Sequence, residues 1–433
     1  MADRWAGQPL ENRRAMLGTM FGREWVGIAA AMVIAAGCAS RTDSAPLPPP
    51  LPREPPEARP ERIASQNAWF ASDLLRTLEA GESGNVFFSP HSLSTALAMA
   101  WAGARGQTER AIASTMRWSD GQQSTHDGFA SLANRLAPPT SESGAPAYEW
   151  TSANRLWLGM PVSDSFSRTL ADSYASDTSS LNLKDATDSA RAINQWAGLW
   201  TRGRITRIVE PDDINGLPFV LTNAVYFKGL WTTPFNTSST RPEPFHTADG
   251  TVAEVPMMHA VREVMHAAGD GWQSISLPYN GGISCLLYQV DHGSMTPFLG
   301  AMDGDFIERS RSRMRPRMAD MAIPRFSIRT KFSAAEALGT LGMGVAFSDA
   351  ADFSGITGAA PLAISDVIHA ATIEFDEVGT VATAVTAIGI RVTSAPMPED
   401  PVVFRLDHPF VIAIVHDATG AVLFLGRVND PGR

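Results

Sequence analysis

Glu377-Val378-Gly379-Thr380-Val381-Ala382-Thr383-Ala384, late in a chain of 433 residues, has the composition of a strand and the setting of a loop. A strand-like run precedes it, Ala371 to Asp376, in which Ile373 and Phe375 alternate with Thr372, Glu374 and Asp376. After it no strand pattern resumes until about Val402-Val403-Phe404. Gly379 permits a sharp backbone turn, and the small and β-branched residues beyond it can enter a sheet without clashing. Roughly twenty residues before Pro401 lack a fold of their own, and loops that long are functional or disordered. A loop built like a strand predicts a chain with two states, because strand insertion stores and releases free energy.

Outward from that stretch, local signals mark an ordered body. Trp69, Phe70, Leu74, Leu75 and Leu78 recur at helical spacing between Gln66 and Leu78. Asn85-Val86-Phe87-Phe88 reads as a short strand. Ser89-Pro90 then supplies a cap and a first-turn proline for a helix carrying Leu93, Leu97 and Trp101 on one face. The run Phe219 to Phe227 is almost continuously apolar, as in a strand covered on both faces, and its central Asn223 must join a polar network. Ser333-Ala334-Ala335-Glu336 has the form of a capping box for a short helix ending at Gly342 or Gly344. Pro409–His416 and Ala421–Val428, around Asp417-Ala418-Thr419-Gly420, form a hairpin pattern. Helices and strands do not alternate steadily, which favours α+β over a doubly wound sheet.

With 44% apolar residues the chain can bury a large core. Its formal net charge of -10 argues against nucleic acid as a partner, since phosphate binding needs a basic face. Arg309, Arg311, Arg313, Arg315 and Arg317 recur at period two, read as a solvated strand edge or connection rather than a polyanion site. The two cysteines, Cys38 and Cys285, sit in unrelated contexts, and Cys285 reads as a small buried hydrophobe.

The first residues have a different character. Arg4, Arg13, Arg14 and Arg23 precede an uncharged apolar run, Val26 to Ala36, and then Gly37-Cys38-Ala39-Ser40. That order is a secretory signal over residues 1–37, and its apolar run is short for a membrane span. Ala35-Ala36-Gly37-Cys38 resembles a bacterial lipobox, which implies lipidation of Cys38, with ordinary secretion or an uncleaved anchor as alternatives. Residues 38–62 are rich in proline and read as an extended tether, so the folded unit is expected over 63–433.

Motifs for catalysis are missing from the sequence. It contains no Gly-x-Ser-x-Gly elbow, no His-Glu-x-x-His and no Cys-x-x-Cys, and the nine histidines show no ligand spacing. No enzyme, metal or cofactor is expected.

Four separated motifs, in order, carry a resemblance to one family. Asn85-Val86-Phe87-Phe88-Ser89-Pro90, Thr222-Asn223-Ala224-Val225-Tyr226-Phe227-Lys228-Gly229, Asp352-Phe353-Ser354-Gly355 and Asp407-His408-Pro409-Phe410 resemble the serpins from about residue 62 onward. The resemblance implies three β-sheets, eight or nine helices and a reactive-centre loop at about 377–401. Glu377, Gly379, Thr380, Ala382 and Ala384 would then be its hinge. Ser89, Ser92, Asn223 and His369 would form the shutter where the large sheet opens, and Trp196 would lie near the breach where insertion begins. Counting from the hinge puts the scissile bond at Thr393-Ser394, with Arg391 as the alternative specificity residue. The implied partners are serine proteases, elastase- or subtilisin-like for Thr393 and trypsin-like for Arg391. The protein is expected to be a monomer, exported and held at a bacterial membrane or secreted.

Overall fold

A computed structural model describes residues 51–52, 55, 58–80, 84–140, 146–176, 178–181, 185–358, 362–380 and 400–432. Compactness divides the chain after Ser44, and every described residue belongs to the second unit, Ala45–Arg433. The first helix, Pro60–Glu79, buries Ile63, Asn67, Phe70, Leu74 and Leu75 along one face, with a proline in its first turn. This helix starts three residues before Ile63. Within the proline-rich segment, Pro52 is already buried, and its carbonyl accepts a hydrogen bond from Asn134 Nδ2 at 2.9 Å.

The α+β class holds. A six-stranded sheet runs in the order Phe326–Ser333, Asp366–Phe375, Gly379–Thr380, Phe219–Leu230, Tyr148–Leu158, Thr178–Ser180. A nine-stranded sheet is built around the C-terminal hairpin Phe410–His416 and Val422–Val428 and the 18-residue strand Val252–Gly269. Three sheets were expected, and pairing among the described residues gives two. The reason lies in Val252–Gly269, which pairs with Arg241–His246, Trp272–Tyr279 and Arg315–Pro324 at successive points and so fuses two layers. Eight described helices have seven or more residues, and three more have four.

The two sheets meet through aromatic rings. Phe424 of the large sheet packs edge-on to Trp150 at 5.6 Å and lies 6.4 Å from Phe227 of the six-stranded sheet. On the other face of the six-stranded sheet, helix Ala186–Trp200 sets Ala190, Ile193, Trp196 and Ala197 against Ala153, Trp157, Val220, Ala224, Ile368 and Ala370. Both faces of Phe219–Leu230 are thereby covered, which accounts for its unbroken apolar run. Among the described residues, no helix is long and apolar enough to cross a membrane.

The arginine run divides between the two settings expected for it: Arg309, Arg311 and Arg313 lie in helix Phe306–Arg313, part of the connection between two strands, and Arg315 and Arg317 enter the strand that follows. That helix is dictated by Phe306, Ile307 and Ser310, which bury one face. The capping box expected at Ser333 does not form. Ser333 ends a strand, pairs with Ile368 and donates its hydroxyl to Asp366, leaving Ala334 as the cap of Ala335–Leu338.

Candidate functional site

Helix Pro90–Trp101 starts as its sequence requires, with the Ser89 side chain accepting from Ser92 N–H at 3.2 Å. This start presses Ser89 and Ser92 against the middle of the six-stranded sheet, where His369, Asn223 and Asn154 are register neighbours on three adjacent strands. Ser89 N–H donates to His369 Nε2 at 3.2 Å. That fixes the tautomer, so His369 Nδ1–H donates to Asn223 Oδ1. Asn223 Nδ2 in turn donates to Asn154 Oδ1 and Ser92 Oγ, and Ser92 Oγ lies 2.6 Å from Ser152 Oγ. Ser89, Ser92, Asn223 and His369 have no exposed surface. Burial pushes the His369 pKa down to about 3, so the ring is neutral and each nitrogen has one partner.

Above this network the sheet parts. Asp366–Phe375 and Phe219–Leu230 pair directly, in parallel, from Asp366/Val220 to Thr372/Tyr226. Farther along, Gly379 and Thr380 lie between them, with Thr380 opposite Phe375 on one side and Gly229 on the other. The return is made by Asp376, whose Oδ1 accepts from Val378 N–H at 2.8 Å and Gly379 N–H at 3.1 Å. Burial raises the pKa of this carboxyl group above its ordinary value, and the two amides oppose that rise. Gly379 is required by close approach: a Cβ there would stand 2.1 Å from the Gly229 carbonyl oxygen.

The seated residues are held by side chains from several elements. Thr380 is fully buried, and its hydroxyl lies 2.6 Å from Tyr279 Oη. Glu377 is 6% exposed, accepts from Thr240 Oγ1 at 2.7 Å and faces Arg325 at 3.6 Å. Trp231 donates its backbone N–H to Val378 O and its indole N–H to Asp376 O, both at 2.9 Å. Its ring stacks on Tyr279 at 4.0 Å and meets Phe375 at 5.1 Å. The arrangement is mechanical: a two-residue strand wedged in a sheet that is closed below it and continuous on both sides.

The structure thus gathers Ser89, Ser92, Asn223 and His369 into one network, and Glu377, Gly379 and Thr380 into one seat. Trp196 joins neither. It sits on helix Ala186–Trp200, edge-on to Trp157 at 5.7 Å, and Trp157 pairs with Val220. Nine residues separate Val220 from Gly229, roughly 30 Å along an extended strand. The tryptophan at the point where the loop meets the sheet is Trp231. Asn154, Ser152, Tyr279 and Trp231 escaped the sequence reading, although Trp231 directly follows the Thr222–Gly229 motif and its Leu230. Ala382, Ala384, Arg391, Thr393, Ser394 and Cys38 lie outside the described residues.

Comparison with known proteins agrees with this geometry. The serpin (serine protease inhibitor) family model matches residues 65–431. An uncharacterized serpin-like protein of Thermococcus kodakarensis is 35% identical over 367 residues, 84% of each chain. Alpha-1-antiproteinase of Rattus norvegicus is 32% identical over 381 residues, covering 86% of this chain and 90% of its own. Among solved structures, human thyroxine-binding globulin superimposes with a TM-score of 0.79 at 26% identity, over 86% of this chain and 100% of that one. Native protease nexin-1 with heparin gives a TM-score of 0.76 at 27% identity, over 86% and 100%. The family match runs over most of the sequence and the superpositions span the whole of the solved chains, so the chain belongs to the serpin family.

Proposed function

We propose that this protein is a suicide inhibitor of serine endopeptidases, with cysteine endopeptidases open to the same trap. The carrying observation is the seat of Gly379–Thr380 between two strands that are otherwise paired. Further insertion requires that Asp366–Phe375 and Phe219–Leu230 give up their direct pairing, so that the residues from Val381 onward follow Thr380 between them. In the reaction, the protease nucleophile attacks the scissile carbonyl, the peptide bond breaks, and an ester (or thioester) links the loop to the enzyme. The new amine leaves on the C-terminal fragment. Release of that end frees the hinge to insert, which carries the protease away before water cleaves the ester. The scissile bond is assigned to Thr393-Ser394, with Arg391 as the alternative. Val381 to Ala387 contain no charge and no proline, as insertion into a sheet requires.

Incubation with elastase, subtilisin and trypsin, followed by denaturing electrophoresis and mass spectrometry, tests this reading. A covalent complex and a released peptide beginning at Ser394, or at Val392 for the alternative, are expected. Cleavage without a complex by all three enzymes would overturn it in favour of a carrier. That second reading has an observation of its own. A cavity of about 800 Å³ lies beside strand Tyr148–Leu158, lined by His91, Met99, Phe129, Trp150 and Trp196 among others. Its size suits a small apolar ligand.

For location, the proposal is export with a lipid on Cys38 and a proline-rich tether, at the periplasmic or outer face of a bacterial membrane. Mass spectrometry of the mature N-terminus reads the modification directly. Cys38→Ser is expected to move the protein from the membrane to the soluble fraction; an unchanged partition would refute the anchor.

A further inference from the structure

His292, Asp407 and His408 present their ligating atoms within 4.8 Å of one another, although 116 positions separate the two histidines in sequence. The topology brings them together. Strand Ile283–Val290 ends in the turn that carries His292, and it pairs with Phe410–His416, whose approach carries Asp407 and His408. His408 is buried, with Nε2 2.6 Å from the Val290 carbonyl oxygen. A carbonyl only accepts, so Nε2 carries a proton and Nδ1 is the nitrogen left to face a ligand. Nδ1 lies 2.7 Å from Asp407 Oδ1. A backbone carbonyl on one ring nitrogen, leaving the other aimed at the site, is the arrangement that orients metal-binding histidines. Asp407 itself is held by its own carbonyl, which accepts from His246 N–H at 2.8 Å. The His292 ring is exposed and stacked on His408 at 4.1 Å and 27°, so it can turn toward an ion without disturbing the core.

We propose that these three residues form a binding site for a divalent first-row metal ion, with zinc as the reference. Two imidazoles and one carboxylate suit zinc, and they disfavour calcium and magnesium, which prefer oxygen throughout. On binding, the ion bonds to His408 Nδ1 and Asp407 Oδ1, the proton shared by that pair leaves to solvent, and water fills the remaining positions. His292 swings out of the ring stack to become the third ligand. The position gives the site a consequence, which rests on the inhibitor reading. Asp407 and His408 follow the strand Val402–Arg405, downstream of the reactive loop, whereas His292 precedes the loop. Cleavage within the loop leaves the ligands on two separate fragments, and the ion clips them together.

The test is calorimetric titration of the full chain with zinc chloride, and with cobalt chloride to report coordination by its visible bands. One equivalent of zinc is expected to bind, with millimolar magnesium failing to compete. His292→Ala, an exposed change that leaves the core intact, and Asp407→Asn are each expected to weaken binding roughly tenfold or more. His266→Ala serves as the control and leaves affinity unchanged. Absence of stoichiometric binding, or equal affinity in His292→Ala and the parent, would overturn the site. The clip has its own readout: zinc should slow loss of the C-terminal fragment from protease-cleaved protein in mild denaturant. If zinc binds but the fragment leaves at the same rate, the site stands and its coupling to the loop does not.

Discussion

At the residue scale, Asn223 and Thr380 have the least freedom to change. Asn223 uses its amide oxygen for His369 and its amide nitrogen for Asn154 and Ser92, all inside a fully buried network. Asn223→Ala leaves the His369 Nδ1–H without an acceptor, at about 1–3 kcal/mol for one unsatisfied buried group. The expected outcome is a lower denaturation midpoint, and a midpoint equal to the parent's would show that the network does not hold the strands. Thr380 is a different case, because its small side chain fills a closed space against Tyr279. Thr380→Arg would bury an unpaired charge or expel the hinge, and expulsion costs far less. The variant should therefore be cut by the target protease without forming a covalent complex. If it still trapped protease at the parent's stoichiometry, insertion would not be the mechanism.

At the scale of elements, the two tryptophans separate the hinge from the sheet that receives it. Trp231→Phe keeps an aromatic ring against Tyr279 and Phe375 but removes the indole N–H bonded to Asp376 O together with part of the buried ring surface. Amide exchange at Val378, Gly379 and Thr380 should accelerate by more than exchange in the lower, directly paired part of the sheet. Trp196→Phe, on the covering helix, should leave exchange at those amides unchanged. Equal acceleration in both variants would deny Trp231 its place at the insertion point. The misplacement of Trp196 shows why the sequence is legible only in part. Ser89-Pro90 announces a helix start because cap and proline act within one turn. The hairpin at 410–428 is equally local. Trp196 was assigned by resemblance alone, and the strand neighbour that fixes its position, Trp157, is thirty-nine residues earlier in the sequence. Ser333 failed for a related reason: its capping signal is local, but pairing with Ile368 outweighs it.

Long-range contacts also govern the molecule as a whole, and they are what sequence patterns reveal least. Asn223 is legible as a residue in need of partners, yet Asn154 reaches it, and Ser152 reaches Ser92 and Asn154, only once Tyr148–Leu158 pairs with Phe219–Leu230. His292 and His408 are likewise unremarkable until two strands align. Three other histidines, all buried, set the response to acid. Burial lowers the pKa of His91 and His126 to about 4, and that of His369 to about 3, from an ordinary 6.5. Above pH 6.5 neither the folded nor the unfolded state protonates these rings, so their contribution is fully present. Below pH 6.5 the unfolded chain takes up protons that the folded chain refuses, and stability is lost down to the folded values. Each ring then costs about 1.4 kcal/mol per pH unit, so that between pH 6.5 and 5 three rings approach 6 kcal/mol as an upper limit. His408 acts in the opposite sense. Burial opposes its charge, Asp407 and the Val290 carbonyl outweigh that and raise its pKa, and its contribution grows on acidification. The net expectation is a denaturation midpoint that falls steeply from pH 7 to 5. His126→Gln retains a partner for Tyr174 and removes one titrating ring. It should flatten the profile by about 1.4 kcal/mol per pH unit, and a slope equal to the parent's would mean that His126 is not held neutral in the folded protein.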